Sequence, residues 1–154
     1  MGIEVETVEL PDQPALCVRF RTSMDKIQDD IGRSYGAIFA QLGKAGGIPA
    51  GPPLALYYDM GMNPGDFEME TCAPVAGEVP GEGEVVFRVL PGGKFLQTMH
   101  RGPYDTLEQT YEALFAYLKD NGLELTGPTR EVYLTDPSQV ERPEDNLTRI
   151  LFPL

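Results

Sequence analysis

"YGAIFAQLGKAGGIPAGPPLALY", residues 35–57, is echoed by "YEALFAYLKDNGLELTGPTREVY", residues 111–133, at a constant shift of 76 positions (111 minus 35). Tyr35 meets Tyr111, Ala37 meets Ala113, Phe39 meets Phe115, Ala40 meets Ala116 and Leu42 meets Leu118. Gly46 then meets Gly122, Gly51-Pro52 meets Gly127-Pro128, and Tyr57 meets Tyr133. Nine identities in 23 ungapped positions exceed what chance readily gives within one chain. The period is too long and the copies too few for a solenoid. Two pseudo-equivalent lobes are expected instead.

Working outward from the second copy, "EVVFRVL" (84–90) and "KFLQTMH" (94–100) read as strands separated by Pro91-Gly92-Gly93. A helix is predicted from Asp105, with Asp105 as N-cap and Glu108 completing a capping-box-like pair. Leu107, Tyr111, Leu114, Phe115 and Leu118 recur at three- and four-residue spacing as one apolar stripe, and Gly122 suits a C-terminal cap. Strands at 129–135 and 147–152 complete the lobe. The first copy predicts strands at 3–9, 15–21, 54–59 and 67–73 around a helix from about Asp25 to Leu42, with a tight turn at "MGMNPGD" (60–66). The duplicated Tyr35, Tyr111, Phe39 and Phe115 are assigned to the core. The expected fold is α+β: a pseudo-twofold duplication of a β-β-α-β-β unit, each antiparallel sheet covered by one helix, with a cleft between the lobes. Lobe one would span residues 1–75 and lobe two 83–154 of one domain, joined by the linker "APVAGEVPGEGE" (73–84).

The internal comparison also singles out a site. Glu131 of the second copy falls where the first has Ala55. Because strand side chains alternate, Glu131 shares a face with Tyr133 as Ala55 does with Tyr57. A small apolar residue meets the structural need there, so a carboxylate is either solvated or functional. Phe20, Tyr57, Tyr58, Phe87 and Phe95 lie on neighbouring strands. Aromatic walls around a carboxylate suit a hydrophobic cation, through charge pairing and cation–π contact. Glu68 and Glu70, which share a face of another strand, are expected to be solvated.

Other features bound the function. The formal charge of -12, from 24 acidic and 12 basic side chains, repels phosphate backbones, so direct nucleic-acid binding is not expected. The chain lacks an apolar stretch long enough for a membrane and a signal-peptide pattern, and it is expected in the cytoplasm. Cys17 and Cys72 have neither CxxC spacing nor a disulfide-rich context and read as buried free thiols. His100, the single histidine, has no nucleophile or second metal ligand nearby in sequence, and reads as closing a strand-to-helix corner, with Tyr104 beside it. No metal and no cofactor is expected.

The segments "HRGPYDTLEQTYEALFAYL" (100–118), "GPTREVYLTDP" (127–137) and "LTRILFPL" (147–154) resemble the GyrI-like small-molecule-binding domain, which is similar to the effector-binding domains of AraC-type and MerR-type multidrug regulators. The resemblance implies that Glu131 is the pocket glutamate for cationic lipophilic ligands and Tyr133 the motif tyrosine. Trp is absent and no helix-turn-helix fits in the rest of the chain. The expectation is a stand-alone binder of drug- or toxin-like cations, with Glu131, Tyr133, Tyr57, Tyr58, Phe20, Tyr104 and His100 as ligand-binding candidates. Two alternatives come with the resemblance: a hydrolase of cyclopropane-type compounds, with Glu131 as its catalytic group, and a protein-binding inhibitor such as a gyrase modulator.

Overall fold

A computed structural model describes residues 3–58, 63–136 and 139–154. Asp59, Met60, Met62 and Pro137 lie outside them; of the expected turn, Asn63–Asp66 is formed, closed by the Asp66 N–H donating to the Asn63 carbonyl at 3.1 Å. Among the described residues, eight strands and two α-helices follow in the order β1 (Glu6–Leu10), β2 (Gln13–Thr22), α1 (Ile27–Ala45), β3 (Leu54–Tyr57), β4 (Phe67–Pro74), β5 (Val86–Leu90), β6 (Gly93–Arg101), α2 (Leu107–Asp120), β7 (Thr129–Tyr133) and β8 (Leu147–Pro153). The fold is mixed α+β with antiparallel strand pairing throughout.

The two compact units are Pro11–Gly92, which contains α1, and Met1–Leu10 with Gly93–Leu154, which contains α2. In the α1 unit the strand order is β3-β4-β2-β5, and in the α2 unit it is β7-β8-β6-β1. The first strand of each expected lobe is therefore exchanged. β1 pairs with β6, not with its sequence neighbour β2, and β5 pairs with β2, not with β6. This corrects the lobe limits of 1–75 and 83–154. Alternating side chains fit a strand equally well on either edge, and only the pairing register distinguishes the two.

Helix α1 runs two to three residues later than the expected 25–42, and both helices end at a glycine. At the end of α1, Gly46 takes φ +69° and the Gly47 N–H returns to the Leu42 carbonyl at 3.0 Å. At the end of α2, Gly122 takes φ +63° and the Leu123 N–H returns to the Leu118 carbonyl at 2.9 Å. Both are left-handed glycine stops, conformations that a side chain would strain. The start of α2 differs from expectation. Tyr104–Thr106 form a short 3₁₀ turn, the N-cap is Thr106 and not Asp105, and no side chain caps the helix. The Thr106 hydroxyl donates instead to the Pro103 carbonyl at 2.8 Å.

Each helix covers one face of the strands of its own unit. Ile38 and Leu42 of α1 pack with Leu16, Val18 and Ala73 of the strands, and Leu114 and Leu118 of α2 with Leu96, Ile150 and Phe152. Val75, Val79 and Val85 join the first cluster, so the expected linker is part of a core, further tied down by the Gln41 side-chain amide donating to the Pro80 carbonyl at 2.8 Å. Phe39 and Phe115 are not core residues: they stand 47% and 41% exposed at equivalent helix positions. Phe115 nevertheless leans on Phe152, with ring centroids 5.1 Å apart.

Candidate functional site

Register decides where the Glu131 side chain goes. Glu131 pairs with Ile150 and Tyr133 with Thr148, so both share the α2-covered face with Ile150 and Phe152. Arg130, the adjacent cation, points to the opposite face, where its guanidinium lies 4.7 Å from the Phe95 ring centroid. Glu131 is only 6% exposed. A carboxylate so buried requires compensation, and two tyrosines contribute it. The Tyr111 hydroxyl, from α2, donates to Oε2 at 2.5 Å, and the Tyr133 hydroxyl donates to Oε1 at 3.0 Å.

Further aromatic surface holds these two rings. Tyr111 stacks on Phe152 at 6.0 Å, and Tyr104 meets Tyr133 edge to face at 5.9 Å. Tyr104 is 41% exposed and links the cluster to solvent. Burial pushes its hydroxyl pKa up, the charges of Glu131 and Asp136 add to that rise, and a hydrogen bond with Asn146 opposes it. The hydroxyls of Thr129 and Thr148 are fully buried on this same face and have no hydrogen-bond partner among the described residues. The chemistry available is a fixed negative charge, aromatic faces and a few spare polar atoms.

In the α1 unit, the position matched to Glu131 by the 76-residue shift carries no charge. Tyr35, the counterpart of Tyr111, donates its hydroxyl to the Leu54 carbonyl at 2.6 Å. Ala55 is fully buried, and Tyr57 packs against Phe67 at 6.5 Å. Tyr111, assigned to the core from its repetition, thus has a second role that Tyr35 lacks. The signal was present in the sequence: between the repeated Gly-Pro and the repeated Tyr57 and Tyr133, alanine at 55 becomes a carboxylate at 131.

Of the seven candidates, Glu131, Tyr133 and Tyr104 are brought together. His100 sits nearby at the strand-to-helix corner, where Nδ1 bonds the Thr110 hydroxyl at 2.7 Å and Nε2 lies 3.0 Å from both the Pro103 carbonyl and the Thr106 hydroxyl. Phe20 and Tyr57 belong to the α1 unit, where Phe20 packs on the cluster beneath the helix.

Tyr58, also in the α1 unit, belongs to a polar cluster that sequence reasoning missed. Glu70 is 3% exposed, not solvated: the Tyr58 hydroxyl donates to it at 2.5 Å and Arg88 forms an ion pair with it at 2.9 Å. Arg19 lies over the Tyr58 ring at 3.8 Å and pairs with Glu68 at 2.8 Å. Burial, reinforced by the bond to Glu70 and its charge, raises the Tyr58 pKa above that of a free tyrosine. Beside this cluster, Cys17 and Cys72 face each other across β2 and β4, and burial pushes the Cys72 thiol up.

A family model for the GyrI-like small molecule binding domain matches residues 3–154, and the chain belongs to that family. No curated protein sequence matches it. Among solved structures, the EcmrR C-terminal domain is 26% identical with a TM-score of 0.84, covering 99% of this chain and 98% of that one. EcmrR in its complex with DNA is 25% identical with a TM-score of 0.87 and covers 97% of this chain; the present chain spans 56% of that protein's length. SAV2435 bound to tetraphenylphosphonium shares the fold at 15% identity and a TM-score of 0.67, covering 98% of this chain and 93% of that one. No helix among the described residues is long and apolar enough to cross a membrane.

Proposed function

We propose that this domain captures lipophilic organic cations, with Glu131 as counter-charge and Tyr104, Tyr111 and Tyr133 as aromatic contacts. The observation that carries the reading is the buried carboxylate held between two tyrosine hydroxyls, at a position where the equivalent residue of the same chain is alanine. A buried negative charge costs folding energy. A cation that loses its hydration shell easily recovers part of that cost through Coulomb attraction, and aromatic faces add roughly 0.5–2 kcal/mol per contact. Strongly hydrated ions such as ammonium gain less, because their desolvation offsets the attraction. Tyr104 stands at the solvent side, so the ligand would enter past its ring.

The tetraphenylphosphonium found in SAV2435 supports the choice of probe. Membership of a small-molecule-binding family supports the class of ligand. Isothermal titration with tetraphenylphosphonium and with uncharged triphenylphosphine oxide tests the proposal. The cation should bind at least about ten-fold more tightly, a preference of about 1.4 kcal/mol. Equal affinity for both, or no binding of the cation, would reject it.

A further inference from the structure

The face of the α1 unit turned away from its helix contains a second concentration of reactive side chains, separate from Glu131. Cys17 and Cys72 are register partners across β2 and β4. Both thiols and a Glu70 oxygen lie within 4.8 Å of one another, although Cys17 and Cys72 are 55 residues apart (72 minus 17). Buried thiols are ordinarily core filler. Here, however, Cys17 and Glu70, from two strands, also line a cavity of about 190 Å³, together with Arg19, Val86 and Arg88, so the cluster borders a space large enough for an ion and a small ligand.

The donor set restricts the ligand. Calcium and magnesium need six or more oxygens, and one carboxylate does not provide them. Paired thiolates select soft ions of filled d shell. We propose that Cys17, Cys72 and Glu70 bind a thiophilic divalent cation of the zinc group, through two thiolates and one carboxylate oxygen. Three protein donors leave a fourth position, open to the cavity, for water or a small ligand. Binding breaks two S–H bonds, forms two metal–sulfur bonds and releases two protons to solvent, with no change of oxidation state. The thiolates balance the cation's charge, while Glu70 is already balanced by Arg88. Arg88 and the Tyr58 hydroxyl orient the carboxylate, the supporting role that metal-binding carboxylates commonly require.

Cadmium is the probe of choice, because the chain has no tryptophan to obscure the thiolate-to-cadmium charge-transfer band in the ultraviolet. Titration of reduced protein should saturate at one equivalent. The band should disappear in Cys17→Ser and in Cys72→Ser, and Glu70→Gln should weaken binding about ten-fold or more. Glu131→Gln should leave it unchanged, which separates this site from cation capture. A band that survives either serine substitution overturns the proposal. Both cysteines are buried, so melting of the unmodified protein provides a second measurement that needs no variant. Excess cadmium should raise its Tm, and an unchanged or lowered Tm overturns the proposal.

Discussion

Replacing Tyr111 with phenylalanine isolates the contact on which the site depends. The substitution deletes one hydroxyl and keeps the ring against Phe152, where the centroids are 6.0 Å apart. The lost bond is the 2.5 Å donation to Glu131 Oε2, and the acceptor is 6% exposed, so water cannot replace it freely. A hydrogen bond to a charged group is worth about 1.5–3 kcal/mol. Tyr133 still serves the other oxygen at 3.0 Å, which places the expected cost at about 2 kcal/mol. In a domain of this size that lowers Tm by about 4–8 °C. Tyr35→Phe is the internal control, because its hydroxyl meets a neutral carbonyl at 2.6 Å, and it should cost about 1 kcal/mol. The assay is urea denaturation followed by circular dichroism, run as a double-mutant cycle with Glu131→Gln. The cycle should give a coupling of about 1 kcal/mol. Zero coupling, with Tyr111→Phe no costlier than Tyr35→Phe, would refute the idea that the tyrosine sustains a buried charge.

Two further predictions concern the α1 unit. The raised pKa of Tyr58 means that its hydroxyl stabilises the fold fully below the ordinary tyrosine pKa of about 10, and that this contribution is lost as pH climbs from there towards the folded-state value. Tyr58→Phe should therefore flatten the alkaline fall of stability, measured by denaturant melts at rising pH; an unchanged slope would contradict the assignment. Glycine positions should diverge in sign: Gly36 has open space around a Cβ within α1, so Gly36→Ala should stabilise by about 0.5–1 kcal/mol. At Gly81 a Cβ would come within 2.2 Å of the Val85 carbonyl oxygen, so Gly81→Ala should destabilise by about 1–3 kcal/mol, as thermal melts will show.

The α+β class, the positions of all eight strands and the glycine stop at Gly122 were legible because each rests on local chemistry: alternation, apolar spacing and the left-handed φ of Gly122. The exchange of β1 and β5 was not, since pairing partners leave no mark on an alternating strand. Glu70 was misread as solvated for a related reason. Its burial depends on Arg88, which comes from an exchanged strand and supplies the compensating charge at 2.9 Å. Likewise Cys17 and Cys72 became neighbours only through the register of β2 and β4. The helix stripe correctly placed Leu114 and Leu118 on the buried face of α2, but it extended to Phe115, which lies at the stripe's edge and stays 41% exposed. The departure at Glu131 was visible because the chain carries a second copy of its sequence surroundings with alanine in its place; its burial between two tyrosine hydroxyls was not.

The most direct measurement of the central claim is the selectivity of Glu131→Gln. Glutamine keeps the shape and some hydrogen bonding while removing the charge, so titration with tetraphenylphosphonium and triphenylphosphine oxide reads the carboxylate alone. Loss of a buried charge-assisted contact of about 1.5–3 kcal/mol predicts a roughly 10- to 100-fold weaker affinity for the cation. Affinity for the neutral compound should change by no more than about two-fold. An equal loss for both compounds, in a variant that melts as the unmodified protein does, would contradict the counter-charge role of Glu131.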